Sequence, residues 1–91
     1  AVAKPGVGGA ARSAAKMAAK RGRVDLRMDC PDARGQRIDL EVVVGTSGAI
    51  RWARPLDRSV DGASCVARRF KGIKSGSRLK QATKVRLQIR P

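Results

Sequence analysis

The chain has 91 residues, of which 42% are hydrophobic and only one Trp and one Phe are aromatic, so it allows one small domain with a modest core. Its formal net charge is +14 at pH 7, and it contains two Cys and no His or Tyr. Without His the usual general acid/base and the commonest metal ligand are missing, so we expect no metal, no cofactor and no catalytic residue.

The basic side chains are concentrated towards both ends of the chain. Residues 1–23 carry six of them and no acid, residues 24–63 carry all seven acids, and residues 64–91 carry nine basic side chains and no acid. A charge this far from zero costs self-repulsion, which favours an anionic partner over an ordinary solvated surface. The side chains predicted to contact that partner are Lys16, Lys20, Arg21, Arg23, Arg68, Arg69, Lys71, Lys74, Arg78 and Lys80.

Residues 1–23 are rich in Ala, Gly and Lys/Arg, and the sequence predicts a basic, flexible arm or linker there. The part from Gly9 to Arg21 has helix-forming residues, but Met17 is its only sizeable apolar side chain with which to dock. The arm either stays solvated or becomes ordered on a polyanion. Because the chain starts with Ala-Val rather than Met, we expect any membrane attachment to come from an anchor upstream of Ala1.

Residues 24–91 are predicted to form one small α+β domain. Period-two alternation predicts a first strand over residues 23–30, a hairpin over 37–56 with Ile50 and Trp52 on its buried face, and a last strand over 84–90. A helix is predicted from about Asp61, with Ala63, Val66, Ala67, Phe70 and Ile73 as its apolar stripe. The predicted fold is a small, mostly antiparallel sheet, in the order β-β-β-α-β, with one helix on one face.

The two cysteines are predicted to form a disulfide. Cys30 ends the predicted first strand. A free Cys usually packs as a small buried apolar residue, but Cys65 lies off the apolar stripe of the predicted helix, so a disulfide explains its position better. A Cys30–Cys65 bond would close a loop of about 36 residues, worth roughly 4 kcal/mol in the chain-entropy model. It would place the protein in the periplasm or cell envelope, whereas two reduced thiols would indicate the cytoplasm. No His is present to activate a catalytic thiol.

Three motifs follow one another in the second half of the chain. They are a hydrophobic strand closed by a Gly-containing turn (EVVVGTSGAIRWARPL), a Gly-x-x-Cys-Val helix start (GASCVARRF) and a last alternating strand (TKVRLQI). Over residues 38–91 the chain thereby resembles the C-terminal domains of TonB-like energy transducers, especially the Cys-containing AgmX/PglI type of gliding bacteria. That family also has a Cys where Cys30 stands, and it has a helix where residues 23–30 predict a strand. The resemblance implies an envelope module that binds partners by backbone pairing at a sheet edge.

Two functions are therefore predicted, and neither is enzymatic. The first is a non-catalytic periplasmic interaction module whose last strand forms a sheet edge and binds an acidic protein segment through Lys84, Arg86, Gln88 and Arg90. Cations on an edge strand are also an ordinary guard against aggregation. The alternative is a nucleic-acid-binding or nucleoprotein-assembly protein that grips phosphates through its arm and its C-terminal third. With Trp52 and Phe70 both assigned to the core, we expect little base stacking.

Overall fold

The computed structural model describes residues 9–91. It contains two helices, α1 (Gly9–Asp29) and α2 (Ala63–Phe70), a 3-10 turn at Pro31–Ala33, and three strands, β1 (Ile38–Val44), β2 (Ile50–Pro55) and β3 (Thr83–Ile89). The sheet order is β2-β1-β3, and both pairings are antiparallel. The predicted α+β class is confirmed, but the elements follow in the order α-β-β-α-β, with two helices instead of one.

β1 lies at the centre of the sheet, and every second side chain on it is aliphatic. These residues are at most 1% exposed, and they are Ile38, Leu40, Val42 and Val44. The register with β3 places Leu40 opposite Leu87 and Val42 opposite Val85, so the buried face continues across both strands. The two helices cover this inner face side by side, α1 mainly over β3 and α2 mainly over β2.

α2 buries the stripe that the sequence predicts, with Phe70 fully buried at its end. The residue before the helix is Gly62, at φ +78°, and no side chain caps the helix start. A Cβ atom at Gly62 would come within 2.6 Å of the Ala33 backbone nitrogen. Glycine is therefore required where the start of α2 passes the 3-10 turn.

The prediction of a strand over residues 23–30 is wrong, because residues up to Asp29 continue α1. The helix packs through small residues, and its buried positions are Ala11, Ala14, Ala15, Ala18, Gly22 and Leu26. A Cβ atom at Gly22 would come within 2.5 Å of Ile73 Cδ1, which shows how closely the helix approaches its neighbours.

Residues 9–23 therefore belong to the packed domain and do not form a solvated arm. The predicted domain boundary at residue 23 falls inside α1. The physical reason is that four buried alanines provide the contact for which the sequence offered no large side chain. The rest of the predicted arm, residues 1–8, lies outside the described residues.

The predicted cysteine pair is confirmed. Cys30 and Cys65 are bonded, with their Cα atoms 5.8 Å apart. The bond joins the end of α1 to the first turn of α2. In the last turn of α2, Arg69 Nε lies 4.0 Å from Asp29 Oδ2. A disulfide is typical of proteins in non-reducing compartments.

The predicted burial of Trp52 is wrong. The register between β1 and β2 shifts so that Val43 lies opposite Trp52 while Val44 lies opposite Ile50, which leaves Arg51 as the extra residue of a β-bulge. The bulge turns Trp52 to the outer face of the sheet, where it is 40% exposed.

Substitution of the two aromatic residues tests this assignment. Phe70→Ala should lower the free energy of unfolding by about 3–5 kcal/mol because it leaves a cavity in the core. Trp52→Ala should cost only about 1 kcal/mol, since its ring is partly exposed and loses mainly a contact with Arg54. Urea unfolding followed by circular dichroism measures both. Equal losses would place Trp52 in the core after all.

Candidate functional site: the groove between α1 and β3

β3 is an edge strand whose free side can be identified from the hydrogen bonds. It pairs with β1 alone in the described sheet. Leu56 N donates to Asp39 O over 2.9 Å, so Asp39 and its odd-numbered neighbours in β1 direct their backbone groups towards β2. The β3 residues opposite this set are Lys84, Arg86 and Gln88. Their N–H and C=O groups therefore point away from the sheet.

α1 runs beside this free edge and presents cations to it. Two open clefts follow one another between the helix and the strand. The first, of about 530 Å³, is lined by Arg12 and Lys16 on α1 and by Arg86 and Gln88 on β3, and it extends to Asp39 of β1 and to Leu56 after β2. The second, of about 390 Å³, is bounded by Lys20, Arg23 and Arg90 over a floor that includes Leu26 and Ile89. We name the two clefts together the α1–β3 groove.

The groove is strongly cationic at its rim and partly apolar at its floor. Its six basic side chains are all exposed, and they are Arg12, Lys16, Lys20, Arg23, Arg86 and Arg90. The one acidic side chain that lines it is Asp39. Rows of cations on both sides of a strand edge suit an extended, negatively charged segment.

The outer face of the sheet is organised around the carboxylate of Glu41, a residue that is only 7% exposed. Its Oε1 atom lies 3.0 Å from Arg54 Nη2 and 3.3 Å from Lys84 Nζ, so one carboxylate links all three strands. Burial by itself raises the pKa of Glu41, but hydrogen bonds and charges from Lys84 and Arg54 outweigh it and hold the pKa below its ordinary value of 4.5. The Lys84 ammonium is thus paired within the domain, although its backbone lies at the free edge.

The structure brings together only part of the predicted site. Residues predicted from the sequence that meet in the groove are Lys16, Lys20, Arg23, Arg86, Gln88 and Arg90. Arg21 points to another side of α1, where its guanidinium lies 3.0 Å from the position of a Cβ on Gly76. The others lie on α2 or in the long connection to β3, and they are Arg68, Arg69, Lys71, Lys74, Arg78 and Lys80. Arg12 was not predicted, although its spacing of four from Lys16 would place both on one side of a helix.

No protein-family model, characterised protein or solved structure matches the chain. Within residues 9–91, no three His, Cys, Asp or Glu side chains are grouped as the ligands of a metal ion would be. In the same residues, no helix combines the length and the apolar character needed to cross a bilayer.

The Glu41 cluster predicts a pH-dependent difference in stability. Because the folded-state pKa lies below the unfolded value, the ionised carboxylate stabilises the fold above about pH 4.5 and loses this effect as pH falls through the lowered pKa. We expect Glu41→Gln to be less stable than the wild type at pH 7 by about 1–2 kcal/mol, since both partners are half exposed. Urea unfolding at a series of pH values should show the difference shrinking below pH 4.5. A difference that stays constant down to acid pH would contradict the assignment.

Proposed function

We propose that the domain is a non-catalytic interaction module of the periplasm or cell envelope. It binds an acidic, extended segment of a partner protein by strand addition to β3. The observation that carries this proposal is the α1–β3 groove, in which the free backbone of an edge strand lies beside a row of helix cations.

The backbone of β3 supplies the affinity in this proposal. Lys84, Arg86 and Gln88 direct their N–H and C=O groups outward, so a partner segment can continue the sheet by main-chain hydrogen bonds. Such bonds are independent of the partner's side chains, and they make an extended conformation the first requirement on the ligand.

The side chains around the edge supply the selectivity. In a strand added to β3, every second side chain lies on the outer face beside Arg86 and Gln88, and the intervening ones lie on the inner face near Leu87 and Ile89. The outer positions favour carboxylates, because the Arg86 guanidinium is exposed there. The inner positions favour apolar side chains beside Leu26. The preferred ligand therefore alternates acidic and apolar residues.

The position of the α1 cations favours binding over a mere guard against aggregation. Basic side chains on β3 itself would suffice to keep the edges of two copies apart. That role does not account for Arg12, Lys16, Lys20 and Arg23, which belong to a different element and line the same edge.

The resemblance to TonB-like C-terminal domains also supports the proposal. The strand predicted over residues 23–30 was a departure from that family, which has a helix there, and α1 occupies this place. The Cys30–Cys65 bond supports an oxidising compartment such as the periplasm.

Nucleic-acid binding is the second candidate, and the exposure of Trp52 favours it. The Trp52 ring lies on the outer face, and Arg54 Cζ lies 5.6 Å from its centroid. It therefore offers one stacking surface for a base, although the sequence predicts that this ring is in the core. Glu41 and Asp39 share that face and oppose phosphate binding there. We therefore rank this function second.

A proline at the free edge tests strand addition. Gln88→Pro removes an N–H that points away from the sheet and leaves the β1–β3 hydrogen bonds intact. We expect it to weaken binding of a synthetic peptide that alternates Glu and Val by about tenfold or more, whereas the matched control Gln88→Ala should bind nearly as the wild type does. Fluorescence anisotropy of the labelled peptide measures affinity, and thermal unfolding confirms that both variants are folded.

Three outcomes would contradict this proposal. Equal binding by Gln88→Pro and the wild type would exclude strand addition, and equal binding of a Lys/Val peptide would exclude the predicted charge preference. Preferential, steeply salt-dependent binding of duplex DNA over the Glu/Val peptide would instead support the nucleic-acid function.

A further inference from the structure

The exposed side of α1 carries apolar side chains that neither the core nor the groove uses. Met17, Val24 and Met28 are 45%, 66% and 75% exposed. Their spacing of seven and then four residues places them on one line along the helix, about 110° of rotation away from the buried alanines. At 1.5 Å per residue this line is about 16 Å long. We name it the apolar ridge.

Cations flank the ridge on both helices. On α1 itself Arg27 lies on one side of it and Arg21 on the other. α2 covers the same face of the sheet beside α1, and it exposes Arg68 and Arg69. The exposed sides of both helices therefore form one surface, the helical face, in which an apolar line runs among mostly basic side chains, with Asp25 and Asp29 as the acids of α1.

We propose that the helical face binds the surface of an anionic lipid bilayer. The apolar ridge enters the boundary between headgroups and acyl chains, with α1 parallel to the membrane plane. The long side chains of Arg27 and Arg68 extend from the same face to the lipid phosphates. Each basic side chain near such a surface adds to the attraction, which falls off within the screening length of the salt solution.

The pattern of charge and apolarity favours a bilayer over the other possible occupants. A second copy of this chain would bring two basic faces together, each from a molecule of net charge +14. A nucleic acid would place three apolar side chains against phosphates and gain nothing from them. An anionic bilayer offers negative charge and an apolar layer at depths that match the two kinds of side chain.

The proposal is independent of the strand-addition function. The ridge lies on a different side of α1 from the groove, so a membrane-bound domain leaves the edge of β3 open at its side. The outer face of the sheet, with Trp52, faces away from the membrane in this orientation.

The single tryptophan allows a direct test. In the oxidised chain of 91 residues, Val24→Trp is placed in a Trp52→Phe background and mixed with vesicles of phosphatidylcholine, with or without phosphatidylglycerol. With anionic vesicles we expect its emission to shift to the blue and to be quenched by acyl-chain quenchers. The wild-type protein, whose Trp52 lies on the opposite face, should bind the same vesicles without either change.

A second set of variants separates insertion from adsorption by charge. Combined substitution of Met17, Val24 and Met28 by Ser should reduce binding to anionic vesicles in a sedimentation assay by about tenfold or more. The matched control Leu56→Ser removes an exposed apolar side chain elsewhere and should bind unchanged.

Several results of these two experiments would overturn the proposal. They are unreduced binding by the triple variant, an unshifted emission from the Val24→Trp variant, and equal binding to vesicles without phosphatidylglycerol. Absence of vesicle binding by the wild type would overturn it too.

Discussion

The docking of α1 through small residues is the contact on which the rest of the structure depends. Alanines bury little apolar area each, so the helix gains less from the hydrophobic effect than one docked by Leu or Phe. The Cys30–Cys65 bond fixes its C-terminal end, and a loop of this size is worth roughly 4 kcal/mol against a total stability of about 5–15 kcal/mol. Both proposed surfaces need α1 in place, because it forms one wall of the groove and carries the apolar ridge.

The elements with large aliphatic side chains were predictable from the sequence, and the helix with small ones was not. β1, β3 and α2 repeat large apolar residues at one clear period. At the end of α1 every second residue is apolar, which is the pattern of a strand. These residues are Val24, Leu26 and Met28, and only Leu26 of the three is buried. A helix is indicated there by the spacing of Ala11, Ala15, Ala18 and Gly22. Because these side chains are small, the hydrophobic periodicity that they produce is weak.

The candidate site was predictable only on its strand side. The last strand was expected at a sheet edge, which placed Arg86, Gln88 and Arg90 correctly at the edge. The helix side depends on where α1 docks, and that is a non-local packing result. The same holds for Trp52, because one extra residue in β2 reverses the face of every side chain beyond the bulge. The hydrophobic pattern of one segment does not determine how that segment pairs or packs with another.

The placement of the few acidic side chains shows which cations the fold itself uses. Glu41 pairs with Arg54 and Lys84, and Asp29 lies near Arg69, so these acids offset part of the positive charge on the outer sheet face and at the junction of the two helices. In residues 9–91 none of these ion pairs includes a cation of the α1–β3 groove or Arg27 beside the ridge. Those charges repel one another and destabilise the compact state, and no ion pair in the described part of the chain offsets the repulsion there. The acids thus offset charge on the sheet and between the helices, whereas the exposed cations of α1 keep their mutual repulsion, and binding of an anionic ligand would relieve it.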